Sequence, residues 1–409
     1  MTIEAEAEGP ARSVWLDRRT PPHLLTLVLL TGVAALNMNM ILPSLPSISG
    51  HYGADYGIVA LAISGYLGLT AVLQLVFGPL SDRYGRRPVI LACFVVFLVA
   101  TLGTMVATSI WTFLLCRMLQ APVAAGLALS RAVVRDMVPP REAASMIGYV
   151  TMGMALIPMV VPMLGGLLDE ALGWQSIFAF TFVFGLVVTV LIWADLGETN
   201  LAPSASMTTQ LRSYPELLRS ASFWGYSATA AFASGTFFAF LGGGPWVATN
   251  VLGLSPATFG LYFGTVSAGY VVGNFLSGRY ATRLGLNAMM LWGGLVTTGG
   301  VLLALALLAA GIVSPIAFFG AIFFVGAGNG LLLPSANAGI VSVEPHLAGS
   351  ASGLGGALLV GGGAVMSVLG GALLGPGTGA WPLLWVMLAS TVSGLAATLV
   401  VIRARNDGR

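Results

Sequence analysis

Arg117 has the most unusual surroundings of the charged residues in this sequence, because it is the only arginine well inside an apolar run, 110–134, that contains no acidic residue. A charge inside a lipid bilayer is costly unless it faces a polar cavity or a partner, so such residues usually serve function. The alternative is a side chain whose charge reaches the membrane surface, since Arg117 lies only about seven residues into the run. We favour the first interpretation.

The acidic residues determine whether proton chemistry is available inside a bilayer. A buried carboxylate can bind a proton in one state and release it in another. All 15 acidic residues lie near the ends of apolar runs or in the tails, and His23, His51 and His346 also lie near such ends. We therefore expect no titratable side chain near the middle of a membrane.

The composition defines the solvent in which these residues act. The chain has 409 residues, of which 57% are hydrophobic and 8% are charged, and its mean hydropathy is +0.91. Soluble domains carry about 25% charged residues. Cys93 and Cys116 each lie inside an apolar run, which argues against a disulfide or a metal site. No phosphate-binding loop of the G-x-x-x-x-G-K type is present, and we expect no cofactor.

A helix needs about 20 apolar residues to cross a bilayer. Apolar runs of this length occur twelve times along the chain. Before the polar stretch 196–221, the predicted spans lie near 23–43, 56–80, 88–108, 110–134, 144–168 and 173–194. After it, they lie near 222–243, 256–280, 286–311, 315–341, 348–374 and 380–402.

The arginines indicate the orientation of these spans. With the N-terminus inside the cell, 16 of the 17 arginines fall on cytoplasmic segments, and the chain has no lysine. Such an excess of positive charge marks the cytoplasmic side. We therefore predict a multi-pass membrane protein with an even number of spans and both termini in the cytoplasm.

The chain also divides into two related halves. Leu80–Tyr84 (LSDRY) after the second span is echoed by Leu276–Tyr280 (LSGRY) after the eighth. The predicted organisation is a cytoplasmic tail (1–22), a six-helix bundle (23–195), a linker (196–221), a second six-helix bundle (222–403) and a cytoplasmic tail (404–409).

The stretch 78–88, GPLSDRYGRRP, lies between the second and third spans. It resembles the G-x-L-x-D-R-x-G-R-[RK] signature of the major facilitator superfamily, although a basic turn that only follows the positive-inside rule is the alternative. The resemblance implies an all-α membrane protein with twelve transmembrane helices in two pseudo-symmetric six-helix bundles. It also implies a cytoplasmic latch, in which Asp82 meets the start of span eleven near Gly349, Ser350 and Ser352, and Arg86 pairs with Asp136. The predicted latch residues are Gly78, Asp82, Arg83, Gly85, Arg86 and Asp136.

Span five resembles the antiporter motif of the drug:proton branch of that superfamily, which ends G-P-x-x-G-G. Val161 replaces the first of these glycines, so the match is partial. A kinked helix whose small residues allow close packing would show the same pattern. The motif residues are Gly153, Pro158, Pro162, Gly165 and Gly166.

Within that branch, residues 30–375 look most like the bicyclomycin and chloramphenicol resistance group. The stretches that carry this resemblance are 42–46 (LPSLP), 244–246 (GPW) to 253–256 (GLSP) after span seven, 333–338 (LPSANA) and 348–352 (AGSAS). Members of the group usually have an aspartate on span one where this chain has Asn39. Since asparagine does not titrate, three explanations stay open. Coupling uses a peripheral acid such as Asp136 or Asp169, the protein is a uniporter, or Asn39 is an introduced substitution that holds one state.

The resemblance further implies that Arg117 and Gln120, an R-x-x-Q pair, line a central cavity and couple to protons or substrate. A cavity with Arg117 and no acid would be net positive, which favours neutral or anionic solutes over cations. The other candidates for the cavity are Asn37, Asn39, Tyr66 and Gln74 in the first half, and Phe237, Phe240, Asn329 and Asn337 in the second. Each aromatic residue among them could instead face lipid or pack against a neighbouring helix.

These features predict a secondary active transporter that exports small amphipathic drugs or metabolites, phenicol-like, by alternating access with proton antiport. A uniporter, or an importer of a neutral or anionic solute, is the main alternative. An enzyme would need a catalytic cluster within the spans, and a channel would need repeated polar rings. The expected partners are a small-molecule substrate, protons and the lipid bilayer, without nucleic acid, and we expect a monomer.

Overall fold

The structure, a computed structural model, describes residues 14–20, 22–137, 140–200, 215–344 and 347–407. This part of the chain consists of helices and turns and contains no strand. Side chains are not described at every one of these positions, and the largest such gap is in the first half of the helix that begins at Pro140.

Nine labelled helices make up the first half of the described chain. They are α1 Leu24–Met40, α2 Leu45–Tyr52, α3 Tyr56–Val59, α4 Leu61–Tyr84, α5 Arg86–Met105, α6 Ile110–Leu119, α7 Ala125–Met137, α8 Pro140–Leu172 and α9 Gln175–Asp195. The second half contains six labelled helices. They are α10 Ala221–Asn250, α11 Pro256–Leu284, α12 Leu286–Ala309, α13 Pro315–Ser342, α14 Ala348–Ala372 and α15 Trp381–Asp407.

Three of the crossings are built from two helices each. Short 3-10 turns at Leu42–Ser44 and Ala121–Ala124 join α1 to α2 and α6 to α7, and Ala60 joins α3 to α4. Pro43 and Pro122 stand at the start of the two turns. Proline has no backbone N–H and cannot continue the ladder of hydrogen bonds, so the α-helical pattern is interrupted there.

The predicted all-α fold with twelve crossings is confirmed. Nine spans of the described chain are long and apolar enough to cross a membrane. The other three crossings are α8, α10 and α11, with 33, 30 and 29 residues. Helices α10 and α11 contain many glycine, serine and threonine residues, which lower their hydropathy and let neighbouring backbones approach closely.

Several helices extend beyond the predicted spans. Helix α4 ends at Tyr84 and α11 at Leu284. The repeated LS-x-RY sequences, which the sequence places after the spans, therefore form the last turns of these two helices. A single residue, Gly85 or Gly285, then connects each helix to the next one. Both glycines have positive φ, 94° and 83°, a conformation that other residues rarely adopt. Counting apolar residues missed these ends because a helix can continue with polar residues outside the bilayer.

The helix of span seven also extends beyond the predicted end of that span, near 243. Helix α10 continues through Gly244, Pro245 and Trp246 to Asn250. A proline inside a membrane helix is tolerated where neighbouring groups compensate for the lost hydrogen bond. Helix α15 likewise continues to Asp407, beyond the predicted end near 402.

Residues 14–20, which we call the N-terminal strap, are folded against the first bundle and belong to the stretch 1–22 that the sequence predicts to be a cytoplasmic tail. The buried carboxylate of Asp195 accepts hydrogen bonds from the backbone N–H groups of Leu16 (2.7 Å) and His23 (2.8 Å) and from the hydroxyl of Thr26. Leu16 adopts a positive φ of 64° in this turn. Such a conformation persists only where its surroundings determine it, and Asp195 supplies that constraint.

The two halves meet along two pairs of crossing helices, α8 with α11 and α4 with α14. Ser267 on α11 donates a hydrogen bond to the carbonyl of Pro158 (3.1 Å), and Tyr56 on α3 donates one to the carbonyl of Gly242 (2.9 Å). Near the predicted outer surface, the backbone N–H of Ala257 donates to Glu170 Oε1 (3.1 Å). The bonds of Tyr56 and Ala257 hold the halves together on the predicted outer side, and the bond of Ser267 does so near the middle of the predicted spans.

Candidate functional site

Arg117 lies at the end of α6, where the helix gives way to the 3-10 turn, and its side chain is 0% exposed. Its Nε donates to the carbonyl of Ala62 (3.1 Å), and its Nη1 donates to Gln120 Oε1 (2.6 Å). Asn37 on α1 accepts twice, at Oδ1 from Nη1 (2.8 Å) and at its carbonyl from Nη2 (2.9 Å). The guanidinium is thus held inside the first bundle and does not reach the membrane surface.

Two further residues complete this site. The ring of Tyr66 on α4 lies beneath the guanidinium, with 4.6 Å between Arg117 Cζ and the ring centroid. Gln120 Nε2 donates to the hydroxyl of Thr101 on α5 (2.9 Å). Side chains and carbonyls from the first four crossings therefore meet at one point. We call this set the arginine network, and its members are Asn37, Ala62, Tyr66, Thr101, Arg117 and Gln120.

The arginine network is charged, yet no described carboxylate pairs with Arg117. Carbonyl and amide oxygens and the face of an aromatic ring are its only described partners. Such groups stabilise a cation by dipoles and by the ring quadrupole, without cancelling its charge. The side chains of Asn37 and Thr70 also lie within hydrogen-bonding reach of the Tyr66 hydroxyl.

Asn39, which stands where the related group has aspartate, has a different environment from Asn37. It is buried, and its Nδ2 donates to the carbonyl of Ala35 one turn earlier in α1 (2.8 Å). Residues two apart on a helix point to nearly opposite faces. Among the described contacts, none connects Asn39 to Arg117.

The structure does not bring the candidates of the second half to the arginine network through any described contact. Phe240 is buried in an aromatic cluster, with its ring centroid 5.9 Å from that of Phe263, and Phe237 contacts the same ring at 6.3 Å. Asn329 is buried with Oδ1 unpartnered among the described residues, while Asn337 is exposed. Asn329 is therefore the second-half candidate with a free buried acceptor.

The latch residues lie around Arg86, the first residue of α5. Its guanidinium contacts Asp82 and the hydroxyl of Ser81, and its Nε lies 3.2 Å from Asp136 Oδ2. This ion pair with Asp136 is the one that the resemblance implies. Arg83 is exposed and lies over the ring of Tyr84, while Gly78 is a helical residue of α4.

The predicted contact between Asp82 and the start of span eleven stays a prediction, because the side chains of residues 348 and 349 are not described. The neighbouring contacts set the register of α4 against α14. A Cβ atom at Gly57 would lie 3.4 Å from Ala372 Cα, and one at Gly356 would lie 3.2 Å from Gln74 Oε1. Extending this antiparallel register places Asp82 opposite the first residues of α14.

Glu198 and Asn200 are site residues that sequence reasoning missed. Glu198 Oε1 and Oε2 accept hydrogen bonds from the backbone N–H groups of Arg86 (2.9 Å) and Arg87 (3.2 Å) at the start of α5. Asn200 Nδ2 donates to the carbonyl of Asp82 (2.9 Å). A carboxylate at a helix N-terminus is favoured by the unpaired N–H groups and the helix dipole. No sequence signal connects residues more than 100 positions apart in this way.

This geometry gives a first prediction. Replacing Glu198 with alanine removes the cap of α5 and is expected to destabilise the first bundle by about 1–2 kcal/mol. Asp55 provides the control, because it occupies the N-cap position of α3 but makes no side-chain cap bond. Thermal unfolding in detergent should show a lower midpoint for Glu198→Ala than for Asp55→Ala. Equal midpoints would contradict a capping role.

The glycines of the antiporter motif face two different neighbours. A Cβ atom at Gly165 would overlap the carbonyl oxygen of Met40 in the first half. One at Gly166 would overlap the carbonyl oxygen of Pro256 and lie 2.7 Å from Ala257 Cα in the second half. Pro162 is buried, Pro158 accepts the bond from Ser267, and Gly153 lies where only the backbone of α8 is described.

Asp169, one residue beyond the predicted span 144–168, is better shielded from water than Asp136, the other peripheral acid named as a coupling candidate. It is 8% exposed, and its Oδ2 accepts a hydrogen bond from the hydroxyl of Ser47 on α2 (2.8 Å). Asp136, in contrast, is paired with Arg86. Shielding favours the neutral form of a carboxyl group, whereas a nearby cation favours the charged form.

Twelve crossings in two halves, with a buried polar site in the first, define a multi-pass membrane protein of the secondary transporter class. The family model of the Major Facilitator Superfamily matches residues 27–255 of this chain. The chain belongs to this superfamily, so it is a transporter and not an enzyme. The family predicted from the signature at 78–88 is thereby confirmed.

Relatives extend along nearly the whole chain. It is 32% identical over 391 residues to the chloramphenicol resistance protein of Pseudomonas aeruginosa, covering 92% of this chain and 90% of the relative. It is 28% identical over 377 residues to multidrug resistance protein D of Escherichia coli, covering 89% and 92%. A bicyclomycin resistance protein homolog of Haemophilus influenzae is 28% identical over 352 residues, covering 85% and 88%. These names confirm the resemblance to the bicyclomycin and chloramphenicol resistance group.

A solved structure supports the fold. The bacterial homolog of the human lysosomal transporter Spinster, in an inward-facing and unoccupied conformation, superposes with a TM-score of 0.71. The sequences are 18% identical, and the match covers 93% of this chain and 96% of that one. The similarity concerns the architecture of two six-helix bundles.

Proposed function

We propose that the protein exports small amphipathic molecules of the phenicol type by alternating access, in exchange for protons. The observation that carries the proposal is the similarity to a chloramphenicol resistance protein along 92% of the chain. The contacts between the halves on the outer side support one end state of an alternating cycle, closed to the outside. The location proposed is a bacterial inner membrane, with a monomer whose termini are both cytoplasmic.

The arginine network supports a preference for neutral or anionic solutes. Arg117 carries a charge that no described carboxylate cancels. A cationic drug would meet unfavourable electrostatics there, whereas a nitro, hydroxyl or carboxylate group would not. Tight binding of a lipophilic cation in competition with a phenicol would contradict this preference.

The proton-binding group is proposed to be a peripheral acid, with Asp169 as the first candidate. It is shielded from water, and Asp136 is already paired with Arg86. Asn39 cannot serve because an amide does not titrate in the physiological range.

The test is chloramphenicol-driven proton movement in proteoliposomes that contain a pH-sensitive dye. We expect chloramphenicol to drive protons across the membrane with the native chain and not with Arg117→Ala or with empty liposomes. Loss of proton flux with retained drug movement in Asp169→Asn would identify the coupling group.

Two outcomes would favour the alternatives. Drug movement without any proton flux in the native chain would indicate a uniporter. No response to phenicols, together with uptake of a neutral or anionic solute into cells that produce the protein, would indicate an importer.

A further inference from the structure

Two arginines that are distant in the sequence converge on Trp193 near the inner end of α9. The Cζ atom of Arg18, in the N-terminal strap, lies 4.9 Å from the centroid of the indole ring. Arg87 on α5 donates from Nη2 to the carbonyl oxygen of Trp193 (3.0 Å). The tryptophan itself is 54% exposed. The fold therefore presents two guanidinium groups and an indole together on the surface.

The two guanidinium groups have no described carboxylate partner. The nearby acids all accept other hydrogen bonds. Asp17 accepts from the N–H of Arg19, and Asp195 accepts from the strap and Thr26. Glu198 accepts from the N–H groups of Arg86, Arg87 and Asn200. Arg18 is exposed and its guanidinium makes no described hydrogen bond, while Arg87 is half-buried. The two positive charges and the N–H donors of Arg18 are thus available to a ligand.

The surface next to these arginines is apolar and faces the bilayer. Helices α5 and α9 pack side by side, and a Cβ atom at Gly185 would lie 2.7 Å from Phe97 Cε1. Both helices carry rows of exposed apolar side chains. On α5 these are Val95, Val96, Val99 and Leu102, and on α9 they are Val183, Leu186, Val187 and Val190.

The strap extends the same surface at the level of the arginines. Val14, Trp15 and Leu16 are exposed although they are apolar, and they stand beside Arg18 and Arg19. Tryptophan and arginine side chains together are typical of the zone between lipid head groups and acyl chains. Because the arginines mark the cytoplasmic side, this zone belongs to the inner leaflet.

We propose that Arg18, Arg87 and Trp193 bind the head group of an anionic phospholipid of the inner leaflet, whose acyl chains lie along α5 and α9. Guanidinium groups bind phosphate oxygens through paired, charge-assisted hydrogen bonds. A soluble phosphate would satisfy the arginines alone. Only a lipid would also cover the apolar rows that continue from them. By bridging the strap, α5 and α9, the lipid would stabilise the first bundle.

The proposal is tested with the purified full chain in detergent, by measuring binding of phosphatidylglycerol and of phosphatidylcholine in native mass spectrometry. We expect selective binding of phosphatidylglycerol. Each of Arg18→Gln and Arg87→Gln should weaken it about five-fold, and the double variant about 25-fold. Trp193→Phe, which keeps an aromatic ring, should weaken binding of phosphatidylglycerol less than either arginine variant. Binding that is retained in this variant would show that the surface still folds.

The matched control is Arg279→Gln with Arg283→Gln. These two exposed arginines of α11 lie on the same predicted side, in the second half. In the described chain no aromatic ring lies under either guanidinium group. The control should bind phosphatidylglycerol like the native chain. Equal loss in the control, or no loss in the Arg18/Arg87 double variant, would overturn the proposal. So would displacement of the lipid by millimolar inorganic phosphate, because that result would indicate a phosphate site. None of these outcomes depends on transport activity.

Discussion

Arg117→Ala is expected to abolish transport and to lower the stability of the first bundle by several kcal/mol. The substitution leaves Ala62 O, Asn37 Oδ1 and Gln120 Oε1 buried without the donor that they share. Each unsatisfied buried polar group costs about 1–3 kcal/mol. The substitution also removes the guanidinium group that joins the first four crossings. Transport should fall below the detection limit of the proteoliposome assay, and thermal unfolding should begin at a lower temperature.

Arg131→Ala is the control for this prediction. Arg131 belongs to the same crossing, and its side chain makes no described hydrogen bond or ion pair. We expect its removal to leave stability nearly unchanged. If Arg117→Ala were as stable as Arg131→Ala, the hydrogen bonds of the arginine network would contribute little, and the network would not organise the bundle.

Arg117→Lys separates the charge of the site from its geometry. A lysine keeps the positive charge, but its compact ammonium cannot make the four directed hydrogen bonds of the guanidinium. We expect Arg117→Lys to fold better than Arg117→Ala and to transport poorly. Full transport by the lysine variant would mean that charge alone is needed at this position.

The sequence was sufficient to locate the arginine network but not to assemble it. Arg117 could be predicted because a charge inside an apolar run is rare, and Gln120 and Asn37 because they are polar residues of neighbouring spans. The carbonyl of Ala62 and the hydroxyl of Thr101 could not be predicted. Backbone acceptors leave no trace in the residue type, and threonine is common in membrane helices. The sequence also left open which of two asparagines, Asn37 or Asn39, faces Arg117. That depends on the rotation of α1 about its own axis.

The fold was predictable for a related reason. The twelve apolar runs and the arginine distribution follow from the bilayer itself, which imposes length and orientation on every crossing. The ends of α4, α10 and α11 were not predictable from apolar length, because polar residues and Pro245 continue those helices. Likewise, Glu198 caps α5 only because the end of α9 returns to the turn at Gly85.

Gly166→Ala is the second prediction with a large expected effect, because it places a methyl group between the two halves. The methyl would overlap the backbone of Pro256 and Ala257, which cannot rotate away as a side chain could. Overpacking of this kind costs about 1–3 kcal/mol, which corresponds to roughly a 5- to 150-fold change in an equilibrium. The outer contacts between α8 and α11 should therefore open, and transport should fall at least about ten-fold.

Two other glycines make this prediction specific to the contact between the halves. Gly165→Ala would overlap Met40 within the first half, so it should destabilise that bundle without favouring the open outer side. Gly264→Ala, on α11, would only bring its methyl within 3.5 Å of the carbonyl oxygen of Met159, which is ordinary contact. It should therefore behave like the native chain.

The measurement is the distance between spin labels at Thr108 and Ala310, on outer turns of opposite halves, after Cys93 and Cys116 are replaced by serine. Gly166→Ala should add a population with longer distances, and Gly264→Ala should not. If Gly166→Ala lost transport with an unchanged distance distribution, Gly166 would serve only the packing of the closed state.

If the longer distances appear, the two glycines of the motif have separate roles. Gly165 lets α8 approach α1 within one bundle, while Gly166 lets the bundles close against each other, and only the second contact must break in each transport cycle.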